Sequence, residues 1–328
     1  MKNLTSNNHQ LEVLDTIADS VTEIIANDML SPEDCWQPTD YLPDLRNNNY
    51  IDEVNELRKR ASNIPNTVLV SLVGNMITEE ALPSYQTWFN LLEGVNRNKN
   101  LASENPWTKW SRVWTSEENR HGDLLNKYLY LSGRVDMKSI EQTIHRLIYN
   151  GVDPLTEADP YKGIIYTSFQ ERATKISHVN TGKLADKSGD TTLSKICKII
   201  AGDEARHEKS YKTMMSKILE IDADNGIIAF EKMMRNNIIM PASLMDNPSN
   251  NDNLFAKYAN ITQMIGVYTS MDYANIIEHL VKYWSIDKFS NLNSEASKAQ
   301  DYLCNLPGRY KRLAERQKAT EEPELIWL

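Results

Sequence analysis

The sequence predicts an all-α protein folded as a single large domain. Glycine and proline number only twelve each in 328 residues, and segments such as residues 170–180 contain neither, which is typical of helices rather than of a turn-rich sheet protein. No stretch dense in proline, glycine or serine divides the chain. The third observation is a repeated Glu-x-x-His pattern, whose two side chains share one face of a helix.

The two Glu-x-x-His pairs are Glu118 with His121 and Glu204 with His207. The chain has six histidines, and the other four lack a carboxylate three residues earlier. Each pair offers one oxygen and one nitrogen ligand, so two pairs indicate a two-metal site, although an ordinary surface helix is the alternative for either pair alone. Such pairs, with one further glutamate on each of two other helices, are typical of a carboxylate-bridged di-iron bundle.

Charge and cysteine content limit the functional classes. The net charge of −9 at pH 7 provides no global basic field, so binding to nucleic acid is not expected. The three cysteines have no Cys-x-x-Cys spacing, which favours a reducing compartment. The sequence contains no run of about 18 apolar residues, so no membrane-spanning segment is expected. Because the N-terminal region is acidic and unlike a targeting peptide, we expect a cytoplasmic protein, or a plastid stromal one if the chain is a processed form.

The predicted organisation has three parts. Residues 1–34 are expected to form a polar, extended and partly flexible N-terminal extension, residues 35–318 the main domain, and residues 319–328 a C-terminal tail. Within the main domain, helical patterning runs over about residues 51–62 and is broken by Pro65.

The next segment, residues 68–92, predicts a long helix that is interrupted at Pro83. Glu79 and Glu80 lie near its middle and are rival candidates for a third carboxylate ligand. Matching of the sequence motif around these two residues favours Glu79.

The remaining ligand candidates are also on predicted helices. The first Glu-x-x-His helix continues to about Ser132, and a stripe at helical spacing that is typical of core packing precedes it: Trp107, Trp110 and Trp114. After a loop rich in proline and aspartate, residues 163–179 predict a helix that contains Glu171, and a helix beginning near Leu193 carries the second pair.

The chain order is therefore a lone glutamate, a Glu-x-x-His pair, a second lone glutamate and a second pair, which predicts a site of two similar halves. Four glutamates neutralise the charge of two Fe(II) ions in a buried site, where uncompensated charge is costly. Oxygen-rich ligation with one imidazole per metal suits iron or manganese better than zinc. We predict a ferritin-like di-iron carboxylate bundle with additional surrounding helices. An aspartate directly before a pair can hold the imidazole from outside, and only the second pair has one, Asp203, whereas Glu117 precedes the first pair.

Four strings around these residues resemble the soluble acyl-acyl carrier protein desaturases: residues 76–83 (MITEEALP), 117–123 (EENRHGD), 166–174 (YTSFQERAT) and 203–208 (DEARHE). The resemblance runs from about Cys35 to Arg316, and on it the chain is identified as a member of that family. The implied activity is insertion of a cis double bond, at the Δ9 position, into a saturated C16–C18 acyl chain on acyl carrier protein. The implied cofactors are two iron ions per subunit, with O2 as cosubstrate and reduced ferredoxin as electron donor.

The resemblance also implies roles for individual residues. It makes six residues iron ligands, of which Glu118 and Glu204 relate to both metals: Glu79, Glu118, His121, Glu171, Glu204 and His207. Thr174 lies beside the oxygen-binding side, where its hydroxyl relays protons, although helix packing is its plain alternative. The implied electron route from the surface to one iron consists of Trp36, Asp203 and His207.

The implied acyl channel is lined by seven residues: Trp88, Leu91, Leu92, Pro154, Thr156, Gly163 and Ile164. Trp88 replaces a methionine of the family pattern, Leu91 a threonine, and Ile164 a phenylalanine. If Trp88 and Leu91 fill the closed end, a shorter chain such as palmitoyl fits better, since each buried methylene contributes about 0.8 kcal/mol. The alternative is that Trp88 only repacks a helix contact.

Acyl carrier protein and ferredoxin are acidic, so the implied partners need a local basic surface. The densest cationic run, residues 309–318, is the candidate docking surface, led by Arg309, Lys311 and Arg312. A second cluster consists of Arg58, Lys59 and Arg60, and a solvated helix face is the alternative for both. The resemblance further implies a homodimer.

Other di-iron functions remain as alternatives at this point. A related acyl-carrier-protein hydroxylase or a ferritin-like iron oxidase would share the carboxylate bundle, although ferritin-like storage proteins are generally much shorter chains. A ribonucleotide reductase radical subunit needs a tyrosine beside the metals, and Tyr166 and Tyr211 are the nearest to ligands in sequence. The flanking strings match desaturases instead.

Overall fold

The computed structural model describes residues 4–245, 253–317 and 324–328, and within these residues it contains thirteen α-helices and no β-strand, which confirms the predicted all-α fold. The helices are α1 (Leu4–Thr16), α2 (Ala18–Asp28), α3 (Tyr50–Ala61), α4 (Asn66–Glu80), α5 (Leu82–Leu91), α6 (Pro106–Ser132), α7 (Met137–Asn150), α8 (Pro160–Lys187), α9 (Thr191–Ile221), α10 (Ala223–Arg235), α11 (Leu254–Ile265), α12 (Ser270–Tyr283) and α13 (Ser294–Ala314). None of these helices is long and apolar enough to cross a membrane.

The three longest helices have strong N-terminal start signals. The side chains of Asn105, Asp159 and Asp190 accept hydrogen bonds from backbone N–H groups in the first turns of α6, α8 and α9. Pro106 and Pro160 occupy the first helical positions of α6 and α8, where a missing N–H costs nothing. The sequence thus fixes where the helices that carry the candidate ligands begin.

Four helices form the central bundle. α4 contacts both α6 and α8, and α9 contacts the same two helices, so α4 and α9 occupy opposite corners. α2, α3 and α5 pack on α6, α7 and α11 on α4, and α10 and α12 on α8. This arrangement is the predicted bundle with additional surrounding helices.

The bundle interior consists of two apolar clusters with a polar layer between them. On α6 the first cluster includes Trp107, Trp110 and Trp114, and the second includes Leu124, Leu125 and Tyr128. Four buried polar residues lie between these two stretches of α6: Glu117, Glu118, Arg120 and His121. α9 repeats the arrangement, because residues 203–207 lie between Ile200 of the second cluster and Met214 of the first. The candidate ligands are therefore surrounded by apolar side chains on both sides.

Most predicted helices are confirmed. The helix predicted over residues 51–62 is α3, and the interrupted helix over residues 68–92 is the pair α4 and α5, which meet at Ala81. The helix predicted over residues 163–179 is longer than expected, because α8 continues to Lys187.

The prediction of an extended start is wrong, because α1 and α2 occupy residues 4–28. Val13, Leu14, Ile17, Val21 and Ile24 are buried in the first apolar cluster. Their spacing of three or four residues is helical, and the polar composition of the segment obscured it.

The C-terminal region also packs on the domain. Residues 318–323, which include Lys318 of the cationic run and part of the predicted tail, lie outside the described residues. Ile326 and Trp327 are buried in the second apolar cluster, and the Trp327 carbonyl accepts a 2.9 Å hydrogen bond from the Asp136 N–H.

Candidate metal centre

The structure brings all six predicted ligands together. They form two overlapping groups whose ligating atoms lie within 4.8 Å of one another: Glu79, Glu118, His121 and Glu204 in one, and Glu118, Glu171, Glu204 and His207 in the other. All six side chains are buried, and Glu118 and Glu204 belong to both groups. Glu80 belongs to neither group and accepts a 3.0 Å hydrogen bond from Asn126, so the geometry favours Glu79 over its neighbour.

The inner atoms of this cluster are arranged as the ligands of a cation would be, but four of them have no hydrogen-bond partner. His207 Nδ1 lies 2.7 Å from Glu118 Oε1, and His121 Nδ1 lies 3.2 Å from Glu118 Oε2. Yet both Nδ1 atoms, Glu118 Oε1 and Glu204 Oε1 are buried without a hydrogen-bond partner. Buried polar atoms are rarely left unpaired, so a metal pair is the fitting partner for this donor set.

The electrostatics of the carboxylates support the same interpretation. Burial and the charges of Glu118 and Glu171 raise the pKa of Glu204 well above its usual range. Burial and the charge of Glu118 also raise the pKa of Glu171. Divalent cations between these carboxylates would relieve both desolvation and mutual repulsion.

The carboxylates directly before the two pairs do hold the imidazoles, but across the bundle. Asp203, on α9, lies 3.2 Å from His121 Nε2 on α6, and Glu117, on α6, lies 3.2 Å from His207 Nε2 on α9. Because α6 and α9 pack against each other, each carboxylate meets the imidazole of the opposite helix. Each histidine therefore has its Nε2 engaged on the outside and its Nδ1 directed to the cluster.

This crossing corrects one part of the predicted electron route. Trp36 Nε1 donates a 2.9 Å hydrogen bond to Asp203, as expected, but Asp203 then leads to His121 and not to His207. The Trp36 ring is also stacked on the His121 ring, with centroids 6.0 Å apart and an interplanar angle of 9°. Sequence adjacency of Asp203 to the second pair suggested His207, whereas the helix packing selects His121.

Asp203 is the centre of a charged network. Its carboxylate accepts from Trp36 and from Arg120 Nη2, at 3.2 Å, and the Arg120 guanidinium lies 4.5 Å from the centroid of the Trp36 ring. Burial opposes ionisation of Asp203, but the hydrogen bond and charge of His121 and the charge of Arg206 outweigh it and lower its pKa to about 2. Asp203 therefore remains an anion beside His121.

Sequence reasoning missed two residues that hold the lone glutamates. Trp114 Nε1 donates a 2.9 Å hydrogen bond to Glu171 Oε1, and His178 Nε2 lies 2.9 Å from Glu79 Oε1. Trp114 was predicted only to pack in the core, and His178 lacks the Glu-x-x-His pattern. Helical spacing could have found both, since Trp114 lies four residues before Glu118 and His178 seven residues after Glu171.

Two cavities meet at the cluster. A cavity of about 690 Å³ is bounded by parts of α4, α8, α11, α12 and α13, and a smaller one of about 70 Å³ adjoins all four candidate glutamate ligands. Both are lined by Thr78, Glu79 and Thr174, so the two cavities are adjacent at these residues. Thr174 lines both cavities, and its hydroxyl lies 3.1 Å from the carbonyl oxygens of Gln170 and Glu171 in its own helix.

Trp88 separates the small cavity from an outer cleft of about 470 Å³, because it lines both. Its indole N–H donates a 2.9 Å hydrogen bond to Thr156 Oγ1, and Thr156 also lines the cleft. Leu91 lies on the outer side of Trp88 and is 69 % exposed, so Trp88 rather than Leu91 closes the small cavity.

The other four predicted channel residues line none of these three cavities. Pro154 is buried, and Ile164 belongs to the first apolar cluster. Leu92 covers Gly163 so closely that a Cβ atom there would lie 2.4 Å from Leu92 Cδ1. Their place in an acyl channel therefore remains a prediction.

The two cationic clusters differ in their surroundings. Arg309 and Arg312 are exposed on α13, and Lys311 pairs with Glu278 at 2.8 Å. Tyr310 and Leu313 on the same helix line the large cavity. In the second cluster, each cation has a partner within the chain: Arg58 with the Leu131 carbonyl, Lys59 with Glu56, and Arg60 with Asp190.

The fold and this cluster together define a helical-bundle protein with a buried carboxylate–histidine site suited to two metals. The fatty acid desaturase family model matches residues 9–326, and the chain belongs to that family. This membership and the flanking strings favour a desaturase over the storage and radical-subunit alternatives.

Named relatives agree with this assignment. The chain is 55 % identical to stearoyl-acyl-carrier-protein 9-desaturase 1, chloroplastic, of Arabidopsis thaliana, over 88 % of this chain and 73 % of that protein. It is 50 % identical to the chloroplastic acyl-acyl-carrier-protein desaturase of Cucumis sativus, over 96 % of this chain and 80 % of that one. The X-ray structure of DesA2 from Mycobacterium tuberculosis H37Rv matches the fold with a TM-score of 0.57 at 16 % identity, covering 89 % of this chain and 99 % of that one.

Proposed function

We propose that the protein inserts a cis double bond between carbons 9 and 10 of a saturated C16–C18 acyl chain carried on acyl carrier protein. The observation that carries the proposal is that two adjacent cavities reach the buried glutamates of the cluster, where a long apolar substrate would lie beside a metal-binding site. The named activity of the plant relatives, stearoyl-acyl-carrier-protein 9-desaturase, supports both the carrier and the bond position.

Two iron ions are the proposed cofactor. Glu79, Glu118, His121 and Glu204 would hold one, and Glu118, Glu171, Glu204 and His207 the other. When bound, the pair supplies redox chemistry in which O2 takes two electrons from a donor, two protons from solution and two hydrogen atoms from adjacent methylenes of the substrate, so that two water molecules are the other product.

The cavities position the substrate. We propose that the acyl chain enters through the large cavity, passes Thr78 and Thr174, and ends in the small cavity against Trp88. Methylene groups are chemically alike, so the distance from the carrier to the cluster selects the carbons that react. Because Trp88 closes the small cavity, we expect a preference for palmitoyl over stearoyl chains.

Electrons and protons reach the cluster by different residues in this proposal. Trp36, Asp203 and His121 form a continuous contact path that would carry electrons from reduced ferredoxin. Thr174, which lines both cavities, would relay protons to reduced oxygen.

The proposed partners follow from the surface of α13. The exposed cations Arg309 and Arg312 adjoin the large cavity through their neighbours on the same helix, a suitable place for an acidic carrier protein. We further propose a homodimer that works in the cytoplasm or, as for the chloroplastic relatives, in the plastid stroma.

Turnover with defined substrates tests the proposal. Purified, iron-loaded protein is combined with reduced ferredoxin, O2 and a series of saturated acyl carrier proteins, and the products are identified by mass spectrometry. We expect a cis Δ9 monoene from palmitoyl or stearoyl carrier protein. Iron binding with only hydroxylated product, or with no modified acyl chain, would contradict the desaturase proposal, and failure to bind iron would contradict the metal assignment.

A further inference from the structure

The two lone glutamates are held in the same way, by different ring donors. Glu171 Oε1 accepts from the indole N–H of Trp114, and Glu79 Oε1 pairs with the imidazole Nε2 of His178, both at 2.9 Å. His178 is 1 % exposed and Trp114 is 5 % exposed, so both donors are buried within the bundle.

In both glutamates the second oxygen faces inward. Glu171 Oε2 lies 3.5 Å from His207 Nδ1, and Glu79 Oε2 lies 3.6 Å from His121 Nδ1. The engaged Oε1 thus points away from the cluster and the free Oε2 points toward it. The hydrogen bond occupies one of the two lone pairs of Oε1 and restricts rotation of the carboxylate, so it fixes the direction in which the glutamate presents its remaining lone pairs to a metal.

We propose that Trp114 and His178 are positioning residues, each of which turns one oxygen of a lone glutamate toward the metals and thereby sets how that glutamate binds. The proposal rests on the di-iron function given above. Loss of either donor should loosen the adjacent metal position and leave the other nearly unchanged, because the two donors act on different glutamates. Residues that hold a ligand from outside typically change metal affinity by about 10–100-fold.

The two donors are chemically unequal. An indole always carries its N–H, whereas an imidazole nitrogen donates only in the tautomer that places the proton there. A carboxylate oxygen accepts, so His178 must carry its proton on Nε2, and its Nδ1 is buried without a partner. A glutamine amide can supply the same kind of donor, which makes His178 open to a conservative rescue.

The test uses apo protein titrated anaerobically with Fe(II), followed by near-infrared circular dichroism and Mössbauer spectroscopy. The variants are Trp114→Phe, His178→Leu and His178→Gln. Trp110→Phe is the matched control, because Trp110 lies four residues earlier on α6, is fully buried, and packs against Tyr211 rather than against a candidate ligand. It loses the same atoms without losing a hydrogen bond to a glutamate.

We expect Trp114→Phe and His178→Leu each to weaken one of the two iron positions by roughly 10-fold or more and to change the spectrum of that iron. Trp110→Phe should match the wild type, and His178→Gln should recover most of the affinity lost in His178→Leu. Thermal unfolding of each apo variant checks that the fold is intact. If Trp114→Phe does not fold, the His178→Leu and His178→Gln pair decides alone.

The outcomes separate this inference from the proposed function. Wild-type protein that binds no iron would overturn the di-iron function and this inference with it. Wild-type protein that binds two irons, with unchanged affinity and spectra in folded Trp114→Phe and His178→Leu, would overturn only the positioning role. Equal losses in Trp110→Phe and Trp114→Phe would attribute the effect to packing and also overturn it.

Discussion

The carboxylate cluster and the Trp88 end of the small cavity are held by different kinds of interaction. At the cluster, four of the six candidate ligands have a partner that fixes them from outside: Glu79 has His178, Glu171 has Trp114, His121 has Asp203, and His207 has Glu117. At the other end, a single hydrogen bond between two neutral side chains, Trp88 and Thr156, holds the wall.

The difference indicates which part of the molecule tolerates change. Removing one member of a buried charged network leaves the others unpaired and costs several kcal/mol, on the order of 3–5. A neutral hydrogen bond contributes about 1 kcal/mol, and an apolar wall can be repacked. We therefore expect substitutions at the cluster to abolish function and substitutions at the Trp88 end to redirect it.

The largest expected effect is the loss of a candidate ligand. Glu171→Ala or His207→Ala should remove iron from one or both positions and lower turnover by more than the roughly 100-fold typical of residues that only support a ligand. Iron stoichiometry and desaturation rate measure this. Glu80→Ala is the control, because Glu80 belongs to neither ligand group and should keep both irons. Full iron loading and turnover in either ligand variant would refute the assignment.

The next effect concerns the electron path. Trp36→Phe removes the N–H that donates to Asp203 but keeps an aromatic ring over His121. We expect both irons to remain bound, while reduction by ferredoxin slows about 10-fold and reduction by a small chemical reductant changes less. Stopped-flow measurement of the two reduction rates checks this prediction. Equal rates for variant and wild type would remove Trp36 from the path.

The same contrast explains how far the sequence could predict the site. The ligands could be predicted from the sequence. Helical periodicity and metal chemistry both constrain Glu118, His121, Glu204 and His207. Similarity to the family strings identified Glu79 and Glu171. Contacts across the bundle could not be predicted in this way. Whether Asp203 contacts His121 or His207 depends on how α6 faces α9. No local pattern encodes that contact.

The fold followed a similar division. Helix starts with a proline or an aspartate cap were predictable from local chemistry, whereas α1 and α2 were missed because their narrow apolar stripe lies in a polar segment. At the Trp88 end, the residue type suggested a closed cavity, but only the structure places Leu91 in the outer cleft and Ile164 in the first apolar cluster. The positions of these cavity-lining side chains depend on packing that a single sequence does not specify.

A smaller effect is expected at Trp88. Trp88→Met should enlarge the small cavity and shift preference from palmitoyl toward stearoyl carrier protein, by roughly fourfold in kcat/KM for each additional methylene accommodated, as 0.8 kcal/mol per methylene implies. Competition between the two substrates, with product analysis, measures the ratio. Leu91→Thr also restores the family's residue but acts on an exposed side chain, so its ratio should stay that of the wild type. An unchanged ratio in Trp88→Met would leave Trp88 as a packing residue only.

The smallest effect is expected for the hydrogen bond that holds Trp88. Thr156→Val keeps the shape of the side chain but removes the acceptor of the Trp88 N–H, which should lower the free energy of unfolding by about 1 kcal/mol and let the indole move. Denaturant unfolding measures the change in stability, and the palmitoyl-to-stearoyl ratio measures the movement of the indole. This ratio should shift in the same direction as in Trp88→Met but by less. Thr87→Val is the matched control, because Thr87 also lines the outer cleft while its hydroxyl bonds the Pro83 carbonyl of its own helix. If Thr156→Val and Thr87→Val alter the substrate ratio equally, the hydrogen bond does not position the indole, and the bulk of Trp88 alone closes the cavity.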